Sequence, residues 1–193
     1  ITLNSDGSYS YQLDNALPAV QALAAGETRT ETFTYELVDR NGASSINTLT
    51  VTIVGTNDAP TLSGEASVSV LEDQTTAVSG QLVAADVDVG DTQTWSVNNG
   101  GQGQYGSFTV DQTGKWTYVP GAGNPAVQGL KTGEQLTDTI TVTVSDGKGG
   151  SATQTVTVVI EGADDAAIIT PAAPGSDQGR VEEHVTLATS GKL

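Results

Sequence analysis

The sequence predicts an all-β chain of Greek-key antiparallel β-sandwich modules in tandem. Three observations predict it. Thr and Val alternate with aliphatic partners over long stretches, as in "TITVTVSDG" (139–147) and "TVTVVIEG" (155–162), and strict alternation of this kind marks half-buried strands. Clusters of Gly, Asn, Asp and Ser punctuate those stretches at short intervals, where turns need residues that tolerate left-handed backbone. The chain also repeats itself: shifted by 107, residues 5–60 lie over 112–167 without a gap, with 22 identities in 56 positions.

Taken in order, the middle repeat reads as seven strands over 66–71, 77–84, 93–98, 106–110, 114–119, 137–145 and 152–161, with a short helical turn at 126–131. In the sixth, Ile140, Val142 and Val144 point one way and the threonines the other; Val156, Val158 and Ile160 do the same in the seventh. β-Branched side chains fit this pleated, one-sided burial. Phe33, Tyr35 and Leu37, then Leu49, Val51 and Ile53, hold the matching positions one repeat earlier. Seven short strands with turn residues between them form a sandwich. The opening residues supply only the last three strands of a module. At the far end "VEEH" (181–184) resembles "VLED" (70–73) and "SGKL" (190–193) matches "SGQL" (79–82), so a third module begins there. The expected organisation is therefore a rear half-module over 1–57, a whole module over 58–167, and over 168–193 a linker and a third module's start, expected to be poorly ordered.

Composition narrows the function. With 23 acidic and 7 basic residues the net charge is −16, which excludes the positive face a nucleic-acid binder needs and disfavours anionic lipid. Cysteine is absent, so disulfides and thiolate metal sites are excluded. The absence of methionine predicts a piece of a longer chain. No apolar run approaches a membrane span.

The acids gather at the turns. If each strand reverses direction, the second–third turn (Asp86, Asp88 and Asp91) and the sixth–seventh turn (Asp146) share one end with the incoming linker "GTNDAP" (55–60), which carries Asn57 and Asp58. Glu27, in the preceding module's last turn but one, faces the same junction. Glu72, Asp73 and Glu134 gather at the other end with Asp164 and Asp165 of the exit linker "GADDAA" (162–167). Two carboxylates about 5 Å apart repel by roughly 3 kcal/mol at an effective dielectric near 20. A divalent cation relieves that repulsion. Ca²⁺ takes oxygens from carboxylates, Asn and carbonyls in tolerant geometry, whereas Mg²⁺ keeps more water. Zinc would want His or Cys, and His184 is the one histidine. Any single turn Asp is explained by turn chemistry; the convergence of several on a linker is not.

Other patterns carry less. Gly101-x-Gly103-x-x-Gly106 matches a dinucleotide fingerprint in form, but an aromatic strand follows where a helix should open; a hairpin loop between the third and fourth strands fits better. "DVDVGD" (86–91) starts like an EF-hand, yet its twelfth position is Val97, not Glu. Trp95, Trp116 and Tyr118 could stack on a sugar, but on alternating strands such aromatics pack in the core. No catalytic constellation stands out, and the chain is not expected to be an enzyme.

"GQLVAADVDVGDTQTWSV", "YGSFTVDQTGKWTYVP", "AVQGLKTGEQLTDTITVTVSDGKGGSATQTVTVVI" and "GTNDAP" together resemble a VCBS repeat, a cadherin-like module found in tandem in large bacterial surface proteins, including RTX-type adhesins. The resemblance implies a secreted or surface-anchored protein in which rigid modules extend an adhesin in cell adhesion and biofilm formation, with Ca²⁺ at the module junctions. Its ligands would be Glu27, Asn57, Asp58, Asp86, Asp88 and Asp146 at the upper junction. The lower one, with Glu72, Asp73, Glu134, Asp164 and Asp165, is partial, since its linker lacks the Asn and the final Pro. The implied partners are neighbouring repeats, with a glycan or another adhesin copy as the alternative for an exposed face.

Overall fold

Alternating β-branched residues build the same hairpin of two eleven-residue strands twice. In the computed structural model, which describes residues 1–165, the chain opens with β1 (Thr2–Leu3), β2 (Tyr9–Ser10), a four-residue helix α1 (Pro18–Gln21) and the hairpin of β3 (Thr28–Val38) and β4 (Ser44–Val54). There follow β5 (Thr61–Gly64), β6 (Ser67–Leu71), β7 (Val78–Ala85), β8 (Thr94–Val97), β9 (Gly106–Val110), β10 (Lys115–Pro120), α2 (Pro125–Gln128) and the hairpin of β11 (Gln135–Ser145) and β12 (Ser151–Glu161). β3, β4 and α1 reappear 107 residues later as β11, β12 and α2 with identical bounds. Residues 166–193, including the segment read as the start of a third module, lie outside the described residues.

Strands β5 to β12 form two four-stranded sheets, ordered β5-β7-β10-β9 and β6-β12-β11-β8. Neighbours pair antiparallel except β6, which runs parallel to β12 from Ser67↔Thr157 to Leu71↔Glu161. The core lies between the sheets. Leu82, Trp116 and Tyr118 from one sheet meet Val142, Val144, Val156, Val158 and Ile160 from the other, all buried. Each such side chain contributes about 1.5–3 kcal/mol by leaving water. The outward threonines of β11 and β12 face one another across the pair, as in Thr139↔Thr157 and Thr141↔Thr155.

Two expectations need correction. The strand read over 66–71 is only the second part of a longer edge. β5 precedes it in the opposite sheet, and the chain changes sheets at Glu65–Ala66. Gly64 turns there at φ 113°, the Glu65 N–H donates to Gln81 O (2.8 Å), and Trp116 Nε1 donates to Glu65 O (2.7 Å). Nor is the connection around residues 98–105 a hairpin: β8 pairs with β11 while β9 pairs with β10, so it crosses between sheets. Asp138 holds it there. This buried carboxylate accepts the N–H groups of Gln104 and Tyr105 (both 2.9 Å), that of Thr139 (3.1 Å) and the Tyr118 hydroxyl (3.1 Å). Burial first, then the Asp138 charge, keeps the Tyr118 phenol protonated well above its usual range. The glycine pattern now has a steric reason. A Cβ on Gly103 would lie 2.8 Å from the Asp138 carboxyl carbon, and one on Gly106 2.5 Å from the Tyr118 hydroxyl.

Residues 1–56 repeat only the latter part of this plan. Tyr11 donates to Glu31 (3.1 Å) as Tyr118 does to Asp138, one repeat on. Yet β3 pairs only with β4 among the described residues. Leu37 is 72% exposed where its counterpart Val144 is fully buried. A two-stranded sheet is marginal alone. The amides of β3 and β4 should therefore exchange roughly 100-fold faster than their counterparts in β11 and β12; equal protection in a monomer measured by hydrogen exchange and mass spectrometry would contradict this. Asp138→Ala, which strands three N–H donors and a phenol, should destabilise the sandwich by about 3 kcal/mol, read from urea denaturation.

Candidate metal centre

The turns place the acids by backbone chemistry. In the β11–β12 turn, Asp146 Oδ1 accepts the N–H groups of Lys148 (2.7 Å) and Gly150 (3.0 Å). In the β7–β8 turn, the Asp88 N–H donates to Asp86 Oδ1 (3.0 Å). Each is an Asx-type closure that spends one oxygen on its own loop. The linker then docks on both turns. The Asn57 side-chain amide donates to Asp146 Oδ2 (2.8 Å) and to Asp58 O (2.9 Å), and the Asp58 N–H donates to Asp88 Oδ2 (2.8 Å). Ala59 lies close against Gly150, where an added Cβ would come 2.9 Å from Ala59 Cα. The structure thus brings Asn57, Asp58, Asp86, Asp88 and Asp146 to one end of the sandwich.

What those bonds leave over is informative. Among the described residues, five buried side-chain oxygens have no hydrogen-bond donor from the protein, and four of them belong to this end: Asn57 Oδ1, Asp86 Oδ2, Asp88 Oδ1 and Asp91 Oδ2. Asp88 is only 4% exposed and Asp146 1%. One carboxylate oxygen each from Asp86, Asp91 and Asp146 lie within 4.8 Å of one another. Oxygens sharing a Ca²⁺ at 2.3–2.6 Å are separated by at most about 5 Å, so these three carboxylates fit a hard cation in chemistry and spacing. Leaving a buried polar atom unpaired costs about 1–3 kcal/mol, and more for a charged one.

Asp91 belongs to this group although it was not among the expected ligands; its signal was present in the sequence as the third acid of "DVDVGD". Asp58 and Asp88 were among them and lie outside the group of three, as does Glu27. The Glu27 carboxylate accepts the Ala24 N–H (3.2 Å) within its own turn, and its carbonyl accepts the Gly55 N–H at the linker's start (2.8 Å). Glu134 repeats this at the other end, taking the Lys131 N–H (2.9 Å) on its side chain and the Gly162 N–H (2.9 Å) on its carbonyl. There Glu72, fully buried, accepts the Ala163 N–H on Oε1 (2.6 Å) and leaves Oε2 as the fifth unpaired oxygen. Asp73, Asp164 and Asp165 are exposed nearby in sequence. Trp95 and Trp116 are buried at 6% and 1%, so neither presents an open stacking face.

The family model for the bacterial cadherin-like domain matches residues 57–162. The chain belongs to that family. Cadherin-like domains are extracellular, calcium-binding adhesion modules. The chain is also similar to solved structures. These include Protocadherin Gamma B2 extracellular cadherin domains 1–5 (17% identity over 69% of this chain and 25% of that one, TM-score 0.46). Others are mouse Cadherin-23 EC22–24 (21%, 72% and 43%, TM-score 0.40) and mouse clustered PcdhgC3 EC1–3 (15%, 84% and 51%, TM-score 0.46). The chain spans between a quarter and about half of the length of those chains. No curated protein sequence matches it. Among the described residues no helix is long and apolar enough to cross a membrane.

The hydrogen bond from Asn57, with those from the turn N–H groups, holds the Asp146 carboxyl below its ordinary value of 3.8. A depressed native pKa contributes stability above the unfolded value and loses it as pH falls through the native one. In metal-free protein Asn57→Ala should raise the Asp146 pKa toward 3.8, and the part of the acid loss of stability that is linked to Asp146 should shrink. Carboxyl-carbon NMR titration in EGTA reads this directly.

Proposed function

We propose that the chain is a calcium-stiffened structural segment of a large bacterial surface adhesin, in which cadherin-like modules of the VCBS kind act as extenders. The four buried, unpaired oxygens at the junction of linker and turns support this reading most strongly. Asn57, Asp86, Asp88, Asp91 and Asp146 would hold the ion at the upper junction, with Asp58 beside them and Glu27 reaching from the preceding repeat. Glu72, with Glu134, Asp73, Asp164 and Asp165, would form the equivalent lower site together with the module that follows. The cation supplies charge neutralisation and a fixed geometry; it takes part in no reaction.

The mechanism is linkage. A ligand bound by the docked linker and not by the undocked one stabilises docking by RT ln(1 + [L]/Kd). Affinities as weak as the millimolar range suffice for extracellular modules. Residues 1–57 would belong to a preceding module and 58–167 to one whole module, so the cation would tie one module to the next. Secretion to the cell surface, and adjacent repeats as the main partners, follow from that role.

Calcium at 100 times its Kd should stabilise the whole chain by about 2.7 kcal/mol over the protein in EGTA, with a smaller effect of Mg²⁺. The Asp86→Asn, Asp88→Asn double variant should lose the calcium response yet melt in EGTA no lower than the unmodified chain, because its repulsion is reduced. A melting temperature indifferent to calcium would remove the reading.

A further inference from the structure

With 23 acidic and 7 basic residues in the chain, the described residues contain one ion pair, and it lies at the candidate metal centre. Lys148 Nζ stands 3.6 Å from Asp91 Oδ1; the Asp91 side chain is 3% exposed and that of Lys148 51%. The geometry points to Lys148 as a tethered counter-ion that occupies the electrostatic place of the metal and sets the affinity of this junction for calcium.

The repeat supplies an internal comparison. One module earlier the same turn is built by Asp39, whose Oδ1 accepts the N–H groups of Asn41 and Ala43 (both 2.8 Å). These bonds reproduce those of Asp146 with Lys148 and Gly150. Position 148 therefore carries a turn N–H that any residue provides, and Asn41 provides it without a charge. The lysine side chain adds nothing to the turn. It adds a positive charge beside three carboxylates whose oxygens lie within 4.8 Å of one another. Without metal that charge offsets part of their repulsion. With a dication bound, ammonium and metal repel, so the lysine must swing toward solvent, which its long stem and half-exposed position allow. Binding then costs the ion pair, and the metal-free junction is less splayed than its carboxylates alone would make it. Turns of this kind with Asn at the position would bind calcium more tightly than those with Lys, and an array of modules would fill its junctions over a range of calcium concentrations.

This inference rests on the calcium reading, and the experiment separates the two. Calcium affinity is measured by isothermal titration calorimetry in low salt on the EGTA-stripped whole chain, as wild type, Lys148→Asn and Lys148→Arg, with melting in EGTA alongside. Lys148→Asn should bind calcium about fivefold more tightly and melt lower without metal. Lys148→Arg should stay near wild type, and the affinity difference should shrink in 0.5 M salt, roughly in step with the shorter Debye length. Equal or weaker affinity in Lys148→Asn, with wild type still binding calcium, overturns the role of the lysine alone. No calcium binding by wild type overturns both.

Discussion

Carboxylate oxygens that the fold buries and does not satisfy are the constraint around which this molecule is organised. At the upper end four backbone donors are engaged by the acids: Lys148 and Gly150 on Asp146, Asp58 on Asp88, and Asp88 on Asp86. These bonds give the loops their shape. They leave one oxygen on Asp86 and one on Asp88 where no protein donor reaches, as also on Asp91 and Asn57. Asp138 shows the opposite solution within the same sandwich, with three N–H groups and a phenol on one buried carboxylate. A fold that can satisfy an acid so fully at one place, and leaves four oxygens unsatisfied at another, has two different uses for negative charge.

The repeat shows which features belong to the module and which to its setting. The Tyr–carboxylate bond, the Pro-initiated helical turn, the Asp-closed turn and the Glu carbonyl that receives the linker N–H all occur at both positions of the 107-residue shift. Phe33, Tyr35 and Leu37 match Ile140, Val142 and Val144 in register, but among the described residues the first set faces only the short β1–β2 pair, and the second a four-stranded sheet that buries it. The alternating pattern is therefore a property of the strand, while burial is conferred by the partner strands.

Most of the fold was legible in the sequence because the long strands alternate without interruption. The strands read over 137–145 and 152–161 differ from β11 and β12 by two residues or fewer at each end. What could not be read was where the chain changes sheets. β5 holds one partly buried aliphatic, Leu62, and ends in glycine, too little for a period. The crossing before β9 depends on Asp138, about thirty-four residues away in sequence, accepting Gln104 N–H. At the candidate metal centre the pairing of Asn57 with the turn acids followed from counting strand reversals. The inclusion of Asp91 did not, since turn chemistry explains a third Asp equally well. Burial decided it.

The split edge has a mechanical consequence. β5 enters in one sheet, β6 continues in the other, and β6 lies parallel to β12 over five residue pairs. Tension applied between the two ends of the sandwich would pull β6 and β12 lengthwise past each other. The bonds between them would then be loaded together in shear, instead of opening one at a time as in a zipper. A strand that merely changes partners thus gives the domain a clasp oriented along the line of pull.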